Sequence, residues 1–237
     1  MLDVAIRKAD GSAAVDWQHV GVRTAPPLPV AAPLRTLLPG GLRRGATVSV
    51  SGSVSLLLAL LGGASADGAW CALVNFPRIS AEAAAEYDID LRRLALVPAP
   101  GEGWTTVVGA LLDAVDIVAA RPPRNMGQRA GRGLAPNDVR RLAARARSKD
   151  AVLMPFVSAD EPAAGGWPGA DVRLHARDAA WSGIGAGTGR LHGRQLDVVA
   201  EGRGHAARGR SARLWLPADG GGVGAVTELA PVIDIAG

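Results

Sequence analysis

The chain has 237 residues, 48% hydrophobic and 20% charged, which is enough apolar material for one sizeable core. Its longest apolar run, Val54 to Leu61, falls far short of the ~20 residues that span a bilayer, and the opening MLDVAIRKADGS lacks the apolar stretch of a signal peptide. A single cysteine, Cys71, excludes an intramolecular disulfide, and a cytoplasmic location is expected. The formal charge of +4 comes almost wholly from arginine, since Lys8 and Lys149 are the only lysines. Codon bias of a GC-rich genome and contact with nucleic acid or an acidic partner both account for that, and net charge does not separate them.

Residues 1–30 are mixed, then proline-rich (TAPPLPVAAP), and read as a loosely structured arm; Leu34 to Leu42 is a short turn-bounded segment. ATVSVS then alternates like a strand, and Ser53 to Ala64 reads as a helix. Trp70 to Phe76 (WCALVNF) is a continuous β-type run, followed by a helix over Ser80 to Tyr87 with Ser80 as its N-cap. Leu94 to Ala99 is a strand, Trp104 to Leu112 a helix, and Val115 to Ala120 a buried-type strand. Asn137 to Ser148 is helical, entered at Pro136 or Asn137, and Ala151 to Val157 is another buried strand. Strands apolar throughout, alternating with helices over about residues 46–157, mark a mostly parallel sheet flanked by helices on both faces. After the break AAGGWPG, the runs DVRLHARDAAW, RQLDVVAEGRG and SARLWLP look like two or three antiparallel strands added at one edge. The expected organisation is an arm over 1–32, a core over 33–217, and a glycine linker with an apolar tail over 218–237.

The order of these strings carries a resemblance. LPGGLRRGATVSVSG…SLLLALL is similar to the entry of a RecA-type core, where a G-G-L-x-x-G segment leads into the first strand and the phosphate loop. WCALVNF, AEYDIDLRRLALVPAP, VDIVAA and the late strands resemble later parts of the same core, over about residues 33–217. Within that group, GGLRRGATVSVSGS, GAWCALV, GIGAGTGRL and ARLWLP look most like actinobacterial ImuA-type proteins. The resemblance implies an α/β RecA-like fold and an accessory role in damage-induced (SOS) mutagenesis and DNA repair. The implied partners are an ImuB-type protein and, through it, an error-prone DnaE-type polymerase and sliding clamp, with RecA as a further candidate. It also implies a nucleoid association during DNA damage.

A working RecA-type ATPase needs G-x-x-x-x-G-K-[ST], whose backbone N–H groups wrap phosphate, whose lysine neutralises charge and whose hydroxyl holds Mg²⁺. Here Gly52 matches the last glycine, Ser53 falls at the lysine position and Val54 at the hydroxyl position. Ser55 can be shifted into the hydroxyl role, but no shift supplies a lysine, and the loop is about five residues short. Asn75 and Pro77 stand where an acid would orient the attacking water. Arg121 stands where the metal-holding acid would close the strand, and Asp116 lies at that strand's other end. The expectation is a degenerate site at Gly52, Ser53, Val54 and Ser55 in a non-catalytic protein with no nucleotide cofactor and no metal; Ser53 and Ser55 are expected to cap the following helix.

His19, His175, His192 and His205 have no metal-ligand spacing, and Cys71 lies mid-strand. GIGAGTG, Gly183 to Gly189, reads as a flexible connector, and QLDVV as part of a strand. The loop Arg121 to Pro136 holds Arg121, Arg124, Arg129 and Arg132 with no acid; it is a candidate DNA-phosphate contact or a solvated loop, and it lacks an aromatic for base stacking. Arg203, Arg208, Arg210 and Arg213 form a second basic group that would extend it. Leu229, Val232, Ile233 and Ile235 in the tail would dock on a partner's sheet edge or groove, or fold back on the chain's own core. The favoured function is a non-catalytic accessory protein binding an ImuB-type partner. The alternatives are a DNA-binding modulator of recombination or repair and an ATPase with an unorthodox site.

Overall fold

The computed structural model describes residues 25–123, 134–157, 167–185, 188–203 and 209–226. The chain lays down β1 (Val48–Ser51), α1 (Val54–Ala66), β2 (Cys71–Val74), α2 (Ala81–Ala85), β3 (Leu94–Val97), α3 (Trp104–Leu112), β4 (Ile117–Ala120), α4 (Pro136–Ser148) and β5 (Val152–Val157). Then come β6 (Val172–Gly185), β7 (Thr188–Gly202), β8 (Arg210–Trp215) and the short β9 (Gly224–Ala225). The strands form one sheet in the order β3-β2-β4-β5-β1-β6-β7-β8-β9. Among the described residues, no helix is long and apolar enough to cross a membrane.

β2, β4 and β5 are buried at every position, because helices cover both faces of the sheet there. Side chains of α1 and α2 pack with one face of the sheet, and those of α3 and α4 with the other. α1 is apolar nearly all round, with Leu56 to Leu61 buried. Such a helix needs cover on its outer side as well. Leu28, Val30, Leu34, Leu37, Tyr87 and Ile89 belong to the same buried cluster as α1. α4 is amphipathic instead. Pro136 occupies its first turn, where a missing N–H is harmless; Val139, Leu142 and Ala146 face inward and its arginines outward.

The alternating strand–helix region, its parallel sheet and the Ser80 cap lie where the sequence pattern places them, though α2 is shorter than expected. Four details differ. β6 runs parallel to β1, pairing Val48 with Val172, so the antiparallel part begins at β7 and comprises the added strands β7, β8 and β9. Most of GIGAGTG lies in the two arms of the β6–β7 hairpin, with Ile184 opposite Gly189, so the expected connector is largely strand. The core reaches into the expected arm: Leu28 and Val30 are buried, and Leu28 exchanges backbone hydrogen bonds with Leu42. The glycine stretch is docked too, with the Gly222 N–H donating to the Glu86 carbonyl at 2.7 Å before β9 pairs with β8.

Cys71, fully buried in β2, has its thiol pushed up to about 12, by burial first and by the nearby Asp116 charge second. A thiol reagent at pH 8 should therefore label it on the order of 1000-fold more slowly in folded than in urea-unfolded protein, because the thiolate is the reactive form. A mass-spectrometric time course checks this.

Candidate functional site

The parallel strands end together along one edge of the sheet, the place where open α/β sheets bind ligands. β1 stops at Ser51, whose hydroxyl lies 2.9 Å from His175 Nδ1 on β6. Gly52 turns with φ of 83°, and Ser53 caps α1, its Oγ accepting from the Leu56 N–H at 3.3 Å. Val54 packs against the core, and Ser55 lies within α1, so Ser53 alone of the two serines is the cap.

Sequence reasoning missed the residue that completes this corner. Arg194 on β7 donates from Nη2 to the Ser53 Oγ at 2.7 Å, across 141 positions of chain. Its guanidinium also stacks 5.2 Å from the ring centroid of Trp181, its partner across the hairpin. Partial burial lowers the Arg194 pKa, and burial raises that of the nearby Tyr87 phenol. Alternation in β7 puts Arg194 on the face that buries Leu196, Val198 and Ala200. An arginine at a core-facing position was the one available signal; only the fold shows that it reaches α1.

The neighbouring position is also cationic. The Arg121 guanidinium carbon lies 4.9 Å from the Phe76 ring centroid and 4.8 Å from that of Phe156, and the two rings meet edge to face. Its backbone is fixed as well: the Arg121 N–H donates to the Val74 carbonyl, and Asn75 Nδ2 donates to the Arg121 carbonyl at 3.0 Å. Asn75 turns with φ of 64° to do so. Arg121, the first residue of the candidate DNA-contacting loop, packs its side chain on two rings, whose faces stabilise a partly desolvated cation. Arg124, Arg129 and Arg132, and the tail residues Leu229, Val232, Ile233 and Ile235, lie outside the described residues.

At the opposite end of the strands, Asp116 acts as a tie. Its carboxylate accepts from Arg44 Nη1 at 2.7 Å and from the Trp70 N–H at 2.9 Å. Asp116→Ala should cost about 1–2 kcal/mol, the usual range for losing such bonds at a half-exposed position. A lowered urea midpoint would show it.

A nucleoside triphosphate with its magnesium needs a cradle of free N–H groups, a lysine and an acid. This corner offers a serine already bonded twice, an intruding guanidinium and a second guanidinium where the acid would stand. As placed, these residues do not fit that group.

The sheet order and the strand–turn–helix frame at β1–α1 define a RecA-like α/β protein. The crystal structure of the RadB recombinase superposes with a TM-score of 0.57 at 15% identity, covering 83% of this chain and 97% of that one. In sequence, residues 36–169 match the MT3502 N-terminal domain family. The chain is also 33% identical over 177 residues to the uncharacterized protein Rv3395c of Mycobacterium tuberculosis, a match covering 70% of this chain and 80% of that protein. The protein belongs to the MT3502 N-terminal domain family.

Proposed function

We propose that this protein is a non-catalytic RecA-like accessory factor of a translesion-synthesis complex, binding an ImuB-type partner and, through it, an error-prone DnaE-type polymerase. The observation that carries the non-catalytic part is the Arg194–Ser53 contact. The Ser53 hydroxyl, at the turn where a phosphate loop would place its lysine, is committed to protein partners, accepting from both the Leu56 N–H and the Arg194 guanidinium. Arg121 adds a positive charge where a metal ligand would be negative. The strings similar to ImuA-type proteins support the choice of partner. A RecA frame without its nucleotide chemistry is suited to presenting surfaces, since fold and activity are separable.

Co-purification with an ImuB-type protein tests the reading. The intact chain should be retained, and a chain ending at Val226 should be retained less if the tail contributes; that cut leaves β9 and the Gly222–Glu86 contact in place. Failure of the intact chain to co-purify, or ATP hydrolysis abolished by changing Ser53, would overturn the proposal.

A further inference from the structure

α3 and α4 pack side by side over the sheet, and the valley between them is an open groove of about 670 Å³. Its α3 wall is built from residues with little or no side chain at Gly109 and Ala110, with Thr105 and Thr106 one turn earlier. Ala144 continues this low floor on α4. Atoms added at Gly109 would first meet the Arg145 side chain, which lies across α3 toward Asp113.

The α4 rim is cationic and regular. Arg141, Arg145 and Lys149 recur at every fourth residue, so they stand on one face about a helical turn apart. Arg140 and Arg147 flank that row, and all five cations are exposed. The carboxylates within reach do not cancel them. Among the described residues, Asp138 pairs with Arg141, while Asp113 alone serves both Arg145, through its Nε and Nη2, and Lys149 at 3.8 Å.

We propose that this groove is a docking site for an acidic amphipathic helix of a partner protein. Carboxylates spaced one turn apart would face the Arg141–Arg145–Lys149 row, and an apolar side chain between them would seat on Ala110 and Ala144. This is the helix-in-groove mode of recognition. Charge complementarity along the rim sets orientation and on-rate, and the small-residue floor supplies buried area. A nucleic-acid backbone would answer the cations but bring no apolar side chain to the floor. The inference rests on reading the chain as a partner-binding protein and adds the chemistry of one contact.

The test uses a fluorescein-labelled helical peptide of about 16 residues, four to five turns, with glutamate at every fourth position and leucine beside it. The intact protein should bind it in a salt-sensitive way. Two variants should bind about tenfold or more weakly while keeping the wild-type melting temperature. R141E/K149E reverses the rim and leaves the Arg145–Asp113 pair in place; Ala110→Trp fills the groove from an exposed position. Binding by the wild type together with weakening in both variants supports the site. It is overturned if the wild type ignores the peptide, if the variants bind as tightly as the wild type, or if a single-stranded or duplex oligonucleotide binds more tightly and displaces the peptide. No ImuB-type protein enters this titration, so it fails or succeeds separately from the co-purification.

Discussion

Gly52→Ala and Gly62→Ala are each expected to destabilise the protein by about 3–5 kcal/mol, at the upper end of single-substitution effects. The two positions fail for different reasons. At Gly52 the backbone sits at φ of 83°, a region that penalises any Cβ, and an alanine Cβ there would run into the carbonyl oxygen of Ala176 on β6. At Gly62, inside α1, helical geometry suits alanine, but its Cβ would strike the Tyr87 carbonyl oxygen. In both cases the obstacle is main chain, which cannot swing aside as a side-chain tip can. In an exposed helix, glycine to alanine would stabilise by up to about 1 kcal/mol, so a large loss at Gly62 reports the close crossing rather than propensity. For a chain of this length each kcal/mol lowers the melting temperature by roughly 2–4 °C. Urea titration of both variants measures the effect, and a cost under about 1 kcal/mol at either site would contradict the packing described. Gly52 is the one phosphate-loop glycine present, and its requirement here is the approach of β6 to β1. Were it kept only for a ligand, Gly52→Ala would alter binding and spare stability.

The parallel half of the fold was legible because burial on both faces leaves a strong trace. CALV, IVAA and VLMPFV are apolar without alternation, and only a sheet covered on both sides asks for that. Caps were legible for the same local reason: Ser53 and Ser80 each stand just before a helical run and accept a backbone N–H three residues on. The direction of β6 was not legible. Val172 to Ala176 reads alike whether its neighbour runs parallel or antiparallel, and only the preceding crossover decides. The docking of residues 28–42 was hidden because the signal lies in α1, whose all-round leucine surface demands an outer cover that the proline-rich segment supplies. At the site, absences could be read residue by residue, since lysine and acid are local requirements. What fills the space could not, because Ser53 and Arg194 meet across 141 positions and Arg121 meets Phe156 across a neighbouring strand.

Arg194→Ala should lower stability by about 3 kcal/mol and should still leave the melting temperature unmoved by ATP and magnesium. The stability part has two sources. A hydrogen bond from a charged donor contributes about 1.5–3 kcal/mol, here to a serine that is itself buried. Stacking on Trp181 contributes about 0.5–1 kcal/mol, at the low end because that indole is 55% exposed. The Ser53 hydroxyl keeps its Leu56 contact in the variant, so α1 stays capped and the loss stays below that of a collapsed corner. The nucleotide part discriminates between two meanings of the same contact. If Arg194 were a gate over a competent site, its removal would free the α1 N-terminus, and ATP would raise the variant's melting temperature by mass action. If it is a permanent replacement, removal uncovers a corner that still lacks the lysine and still has Arg121 where an acid would hold the metal, and ATP finds nothing to grip. A thermal shift with ATP in Arg194→Ala and none in the wild type would replace the accessory reading with that of a latched nucleotide-binding protein.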